Sequence, residues 1–320
     1  MKNINNIIGN ELDTFERKFA ANVKGSNLLL DRIMRFIIRR KGKQMRPMFV
    51  LLSAKIAGGI TEGTYRAASL IELLHTATLV HDDVVDNAMV RRNFFSINAL
   101  WKNKIAVLVG DYLLAKGLLL SVDNEDYKIL QITSRAVKEI SEGELLQMEK
   151  ARKLDISEDV YFEIIKAKTA SLLSAACAAG AYSSAGDNAE TERFRLFGEK
   201  VGIAFQIKDD LFDYGADKIG KPTGIDIKEK KMTLPLIYTL QHADRETRRK
   251  IIYIIKNKST DRRKVAEVIN LVQQSGGIGY AAGKMKEYQQ EAIQILHHYP
   301  DTPARQAMEE LVNYVIEREY

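Results

Sequence analysis

Cysteine is almost missing from this chain. Cys177 is the only one in 320 residues, which excludes an internal disulfide and a cysteine-built zinc site. Proline is scarce as well, five in all, and none lies between Pro47 and Pro222. Proline breaks helices, so few architectures other than helical ones leave such an interval empty. The opening stretch MKNINNIIGNELDTFERKF is too polar and acidic for a secretory leader. A strongly apolar run is lacking too. Thr169 to Gly186 carries no charge, yet it is built of Ala, Ser and Gly with only two leucines. Its transfer into lipid would be weak, and it predicts a helix packed on all sides. Ile105 to Leu120 is apolar but interrupted by Asp111 and Lys116, and it predicts a core helix. No transmembrane segment and a cytoplasmic location are the expectations. Charge is not extreme: 48 Lys and Arg against 42 Asp and Glu give +6, a balance suited to anionic ligands.

What the chain does have is helical periodicity. Leu28, Leu29, Ile33, Phe36 and Ile37 mark one apolar face; Leu70, Leu73, Leu74, Ala77 and Val80 mark a second. Ile129, Ile132, Ala136 and Ile140 mark a third. Breaks fall at Gly58-Gly59, Asp123-Asn124, Ser183 to Asp187, Gly215 to Gly224, Gly276-Gly277 and Pro300 to Pro303. The segments between them predict an all-α fold of about ten or more helices, with residues 1–320 as a single domain. Composition leaves open whether the helices form a solid bundle or surround a cavity.

Two acidic clusters carry the chemistry. His81-Asp82-Asp83-Val84-Val85-Asp86 and Lys208-Asp209-Asp210-Leu211-Phe212-Asp213 both read DDxxD. On a helix, Asp82 and Asp86 share a face, as do Asp209 and Asp213. Like charges at that spacing repel by a few tenths of a kcal/mol, so two such clusters call for a compensating cation. Oxygen-only donors point to a hard ion. Magnesium takes one or two carboxylates, keeps its waters and shares phosphate oxygens with a substrate. Calcium loops need glycine and carbonyl ligands at set positions, and these are missing.

Cations recur beside the clusters. Lys43 and Arg46 stand in Gly42-Lys43-Gln44-Met45-Arg46-Pro47 before an apolar helix, where they can clamp phosphate. Arg91-Arg92 follows Asp86 within two turns. Lys168-Thr169 opens the uncharged helix, a place suited to an anion. Lys221 and Lys231 flank Asp226 in a glycine-bearing loop. His75 lies seven residues before Asp82, on nearly the same helix face.

These stretches make the sequence recognisable. ELLHTATLVHDDVVDNAMVRR, AVLVGDYLLAKG and GIAFQIKDDLFDYGADKIGKPTGIDIKEKKMTLPL resemble the trans-isoprenyl diphosphate synthases, or polyprenyl synthetases, and the similarity runs from the GKQMRP loop to the closing LVNYVIERE. The resemblance implies helices around a central cavity, the isoprenoid synthase type, usually as a homodimer. It implies a prenyltransferase joining isopentenyl diphosphate to an allylic diphosphate, with more than one Mg2+ per active site and no nucleic-acid partner. It assigns catalytic roles to Asp82, Asp83, Asp86, Asp209, Asp210 and Asp213, with Asp82, Asp86 and Asp209 as metal ligands. Lys43, Arg46, His75 and Arg92 match residues that bind isopentenyl diphosphate. Arg91, Lys168, Thr169, Gln206, Lys221 and Lys231 match those that bind the allylic diphosphate. Small Ala77 and Thr78, five and four residues before Asp82, stand where the family places bulky aromatics in short-chain enzymes. A long-chain product for quinone side chains is the expectation, with peripheral membrane contact left open.

Departures are few. The family continues after the arginine pair with Gly, a variable residue and Pro; here Asn93-Phe94-Phe95 follows, which puts loop geometry in question. Lys230 stands where a Gly is common. The rival readings are a short-chain synthase, a regulatory subunit of a heteromeric synthase and a class I terpene cyclase. The second DDxxD and the GKQMRP loop argue against the cyclase, and the six retained aspartates argue against the subunit.

Overall fold

A computed structural model describes residues 2–25, 27–39, 42–91, 94–154, 156–215 and 223–317, without the side chains of Lys2, Arg91, Arg152, Lys153 and Glu317. The all-α expectation holds. The chain forms two compact units. One comprises 1–137, 172–195 and 299–308, the other 138–171, 196–298 and 309–320.

The first unit begins with α1 (Lys2–Asn22), α2 (Leu28–Arg39), α3 (Met45–Ala57) and α4 (Glu62–Val85). A short antiparallel ladder follows, β1 (Val90–Arg91) with β2 (Phe94–Phe95), pairing Val90 with Phe95. Then come α5 (Ile97–Val122) and the first part of α6 (Tyr127–Lys153). Thr61 starts α4 through a capping box with Thr64, and the Ser96 hydroxyl caps α5 by accepting from the Ala99 N–H. Leu70, Leu73, Leu74, Ala77 and Val80 of α4 are buried, as their spacing predicts. Each such Leu contributes about 1.5–3 kcal/mol. Leu28 and Leu29 do not join the predicted face. They are exposed, because they form the first turn of α2 and its packing begins at Leu30.

Helix α5 is long and apolar enough to cross a membrane by length and composition. The core-helix expectation holds for one face only. Ala106, Val109, Gly110, Leu113 and Gly117 are buried, while Val107, Leu108, Leu118, Leu119 and Val122 are exposed. The uncharged stretch contains the whole of α8 (Ser171–Ala185). Leu172 and Ala175 to Ala179 are buried, as predicted. Gly180 brings two backbones together: a Cβ there would stand 2.3 Å from the Val50 carbonyl oxygen of α3.

The second unit holds the rest of α6, α7 (Glu158–Ile165), a π-helical turn (Lys166–Ala170) and most of α9 (Asn188–Phe212). α10 (Ile225–Lys228), α11 (Leu234–His242), α12 (Arg245–Asn257), α13 (Arg262–Gln274) and α14 (Gly277–Leu296) follow. α15 (Pro303–Glu317) closes the chain, its first six residues in the first unit. Gly202 of α9 lets that helix touch the π turn, since a Cβ there would meet the Ala170 Cα at 2.5 Å.

Candidate active site

The first DDxxD occupies the last turns of α4. Asp83 is buried, Asp82 is half-buried and Asp86 is an exposed C-cap residue. The backbone holds this end in place. Asp86 N–H donates to the Asp82 carbonyl at 2.8 Å, Ala88 N–H to the Asp83 carbonyl at 2.9 Å, and the Asn98 side-chain amide to the same carbonyl at 3.1 Å. Asn98 thus ties the start of α5 to the acidic end of α4.

One pocket of the first unit joins this end to cations. Lys43, Arg46, His75 and Asp83 line it together with Glu72. Phe36, Leu79, Val80 and Ile97 give it an apolar side. Gln44 takes a left-handed conformation (φ 50°), and α3 starts directly after it with Arg46 and Pro47 in its first turn. That bend delivers Lys43 and Arg46 to one wall. Asp82 and Asp86 are not among the lining residues. Arg92 and Asn93 lie outside the described residues, as does the Arg91 side chain. Phe94 and Phe95 are placed: they form β2 and line the pocket, each more than half exposed. Ala77 and Thr78 do not line it. Ala77 is fully buried in a cluster with Leu73, Val80, Ala106 and Val109. Thr78 is half-buried and its hydroxyl donates to the His75 carbonyl at 2.9 Å.

The second DDxxD closes α9, and a pocket of the second unit gathers around it. Gln147, Tyr161, Lys168, Thr169, Gln206, Asp209, Asp210, Asp226 and Lys231 line that pocket. Lys168 and Thr169 do not start a helix. They sit in the π turn, which corrects the helix-start reading: the chain stays helical from Glu158 to Ala185, so no free N-terminal N–H groups are presented there. π turns concentrate at functional sites, and this one turns both side chains into the pocket. Lys168 Nζ pairs with Glu144 at 2.5 Å. Lys221 lies outside the described residues.

A hydrogen-bonded chain fixes the carboxyl of Asp210. Thr169 Oγ1 donates to Gln206 Oε1 at 2.7 Å, Gln206 Nε2 donates to Asp210 Oδ1 at 2.8 Å, and the buried Tyr161 hydroxyl donates to Asp210 Oδ2 at 2.7 Å. Asp213 is engaged elsewhere. It accepts from the Ile225 and Asp226 N–H groups at 2.7 and 3.1 Å, so it holds the start of α10. Asp209 is the exposed member. Lys231 lies at the far end of α10, near Asp226 (3.7 Å) and Glu229 (2.6 Å). The turn that presents Lys231 is a Schellman motif: Lys231 N–H bonds the Asp226 carbonyl at 2.8 Å and Lys230 N–H the Ile227 carbonyl at 3.1 Å. Lys230 holds the left-handed position, φ 60°, which is why a glycine is common there.

Burial and crowding shift the acids. Burial, then the neighbouring charge of Asp226, pushes Asp210 up to about 8. Asp226 rises to about 6 by burial and the charge of Asp213. Burial also raises Asp213, against the backbone N–H groups that favour its ionised form. Tyr161 is held well above its ordinary value by burial and by Asp210.

The donor set suits a hard divalent ion. At the end of α4 Asp82 and Asp86, and separately at the end of α9 Asp209, present carboxylate oxygen to solvent, and Asp210, whose proton burial favours, would ionise beside a cation. Among the described residues no three His, Cys, Asp or Glu side chains gather into a closed cage. Magnesium does not need one, because it keeps waters and phosphate oxygens in its shell.

Tyr161, Gln147, Glu72 and Asn98 escaped the sequence reading of the site. An aromatic in DVYFEII reads as core, and nothing local marks its hydroxyl.

A family model described as polyprenyl synthetase matches residues 27–272. The all-trans-nonaprenyl-diphosphate synthase (geranyl-diphosphate specific) of Rhodobacter capsulatus is 39% identical over 289 residues, covering 89% of this chain and 88% of that protein. A short chain isoprenyl diphosphate synthase of Methanothermobacter thermautotrophicus is 35% identical, covering 89% of each. The crystal structure of a polyprenyl synthase from Caulobacter crescentus, complexed with calcium and isoprenyl diphosphate, superposes with a TM-score of 0.90 at 32% identity, covering 99% of this chain and 97% of that one. The chain belongs to the polyprenyl synthetase family.

Proposed function

We propose that the protein condenses isopentenyl diphosphate with an allylic diphosphate, head to tail and in trans, and repeats the step to a long-chain all-trans polyprenyl diphosphate. One observation carries this reading: each unit has a pocket that joins an aspartate of a DDxxD cluster to cationic side chains. Lys43, Arg46 and His75, with Arg92 added from the family resemblance, bind isopentenyl diphosphate. Lys168, Thr169, Gln206 and Lys231, with Arg91 and Lys221 added from the resemblance, bind the allylic diphosphate. The family model spans residues of both units, which supports one functional domain over 1–320.

The reaction begins when the allylic C–O bond breaks and its electron pair leaves with the diphosphate. Asp82 and Asp86 in one unit, and Asp209 in the other, would each hold magnesium, whose chemistry is to neutralise charge on a departing diphosphate. Lys168 and Lys231 add positive charge to the same end. Lys43, Arg46 and His75 hold the second diphosphate and so orient its double bond. The π electrons of isopentenyl diphosphate then form the new C–C bond. The resulting tertiary cation loses a proton, which we assign to the released diphosphate. Apolar walls such as Phe36, Leu79, Val80 and Ile97 keep water from the isopentenyl tail. Tyr161 and Gln206 fix the orientation of Asp210 rather than touch substrate.

Long product is supported by the small residues before the first cluster and by the nonaprenyl name of the Rhodobacter relative. The Methanothermobacter relative keeps a short-chain product as the second reading. Thr78 is the better candidate for a chain-length wall, since Ala77 is committed to the α4–α5 core. The exposed apolar face of α5 supports a homodimer, and the location we assign is cytoplasmic. The test is incubation with isopentenyl diphosphate, Mg2+ and allylic primers of increasing length, followed by sizing of the products. Products of five or more isoprene units are expected. A product that stops at three or four units selects the short-chain reading, and no transfer from any primer overturns the proposal.

A further inference from the structure

The charge of the chain is not spread evenly. Residues 244–264 hold nine Lys and Arg against three Asp and Glu, a net +6 equal to that of all 320 residues. The segment is α12, the N-terminus of α13 and the turn joining them, and all nine cations are exposed. Only Lys250 and Lys264 have a carboxylate within ion-pair distance among the described residues, and both share Glu267 (2.5 and 2.8 Å). Several cations stand where a helix disfavours them. Arg245 and Arg248 occupy the first turn of α12; Arg262, Arg263 and Lys264 occupy the first turn of α13, which has no acid of its own. The N-caps Asp244 and Asp261 offset this only in part.

The pattern is also amphipathic in a particular way. Arg245, Arg249, Tyr253 and Lys256 fall on one face of α12 at helical spacing. Tyr253 is 57% exposed, although aromatic rings are costly to leave in water. Ile251, Ile254 and Ile255 fill the opposite face and are buried, so the outer face is not needed for the core. A tyrosine ring among arginines and lysines matches the headgroup layer of an anionic bilayer, which takes the ring at the interface and the cations at its phosphates. Nucleic-acid readers rely instead on a groove or on several stacking aromatics, and here one ring stands on a helix face.

We infer that the α12–α13 surface docks the protein onto an anionic phospholipid membrane. The proposed function rests beneath this only as its rationale: a polyprenyl chain needs an apolar destination, and docking shortens the path to one. The cations of this surface take no part in either pocket.

Co-sedimentation of the full chain with phosphatidylcholine vesicles, with and without phosphatidylglycerol, tests the inference. Binding is expected only with phosphatidylglycerol, and it should fall as salt rises. The triple variant Arg245→Glu/Arg249→Glu/Arg262→Glu should lower partition by about 100-fold. Arg245 and Arg262 lie in first turns, where the helix dipole prefers acids, and Arg249 is exposed, so folding is not at risk. Tyr253→Ser should lower partition a few-fold. The charge-matched control Lys24→Glu/Lys138→Glu/Lys286→Glu alters exposed cations elsewhere and should retain most binding. Equal loss in both triples, equal binding to neutral vesicles, or tighter binding to duplex DNA than to the vesicles at the same salt would each overturn the inference. Prenyl transfer without vesicles should be unchanged in all variants. A wild type that binds vesicles but transfers no prenyl group would defeat the proposed function and leave the membrane surface standing.

Discussion

The two DDxxD clusters have the same letters and different environments. At the end of α4, Asp82 is half-buried, Asp86 is exposed and only Asp83 is buried. At the end of α9, Asp210 is buried under Tyr161 and Gln206, and Asp213 is spent on the start of α10. Asp209 alone stays exposed. A sequence motif thus sets which residues stand one turn apart, but packing decides which carboxyl faces water, which is neutral and which holds the backbone. The first cluster keeps two of its three carboxylates in reach of solvent. In the second, burial holds the proton on Asp210, and a cation beside it would favour its release.

The largest expected effect breaks this comparison into activity and stability. Asp82→Ala should lower turnover by about 10²–10³-fold, the loss typical of a group that stabilises transition-state charge, with thermal stability nearly unchanged. Asp210→Ala should lower turnover as well and also cost about 1–3 kcal/mol, because the buried Tyr161 hydroxyl loses its acceptor. Steady-state kinetics and thermal melts on both variants check this. If Asp82→Ala destabilises as much as Asp210→Ala, the two clusters are not different in kind.

A smaller effect separates them by pH. Folding raises Asp210 from 3.8 to about 8. Between these values the folded chain keeps a proton that the unfolded chain has lost. The stability from this group is therefore fully present below about pH 4 and is lost as pH rises through about 8. Asp226 has the same sign and fades through about pH 6. In EDTA, the melting temperature of wild type should fall from pH 6 to pH 8.5, and Asp210→Asn should flatten the fall. Adding Mg2+ should restore stability at the upper end, and near pH 6, where Asp210 still holds its proton, it should do so with proton release. An equal slope in wild type and Asp210→Asn would remove Asp210 as its source.

Much of this was legible beforehand, for physical reasons. Buried positions at 3.6-residue spacing mark α4 directly, and the Ala-rich α8 announces close packing by its small side chains. Lys43, Arg46 and His75 share a pocket, and Lys168, Thr169, Gln206, Asp209, Asp210 and Lys231 share another, as the motif resemblance implies. What stayed hidden depends on distant partners. Tyr161 meets Asp210 across 49 residues of chain, and Asp213 caps a helix that begins 12 residues later. The π turn at Lys166–Ala170 leaves no periodic trace in so short a stretch. The exposed Leu28 and Leu29 look like core until the end of the packed stretch is known.

The smallest effect sharpens the second region. Lys230 occupies the left-handed C′ position of the turn after α10, where a Cβ costs about 1–2 kcal/mol. Glycine removes that strain but gives the unfolded chain more freedom, about 0.4–1 kcal/mol in the other direction. The Lys230 side chain donates to the exposed Lys256 carbonyl at 3.2 Å, a bond that water can replace. Lys230→Gly should therefore stabilise the protein by about 0.5–1 kcal/mol, read as a rise in the urea midpoint with unchanged slope. The turn presents Lys231, so KM for the allylic diphosphate is the second readout. A large rise in that KM would mean that the lysine, despite its strain, holds the turn in the shape binding requires.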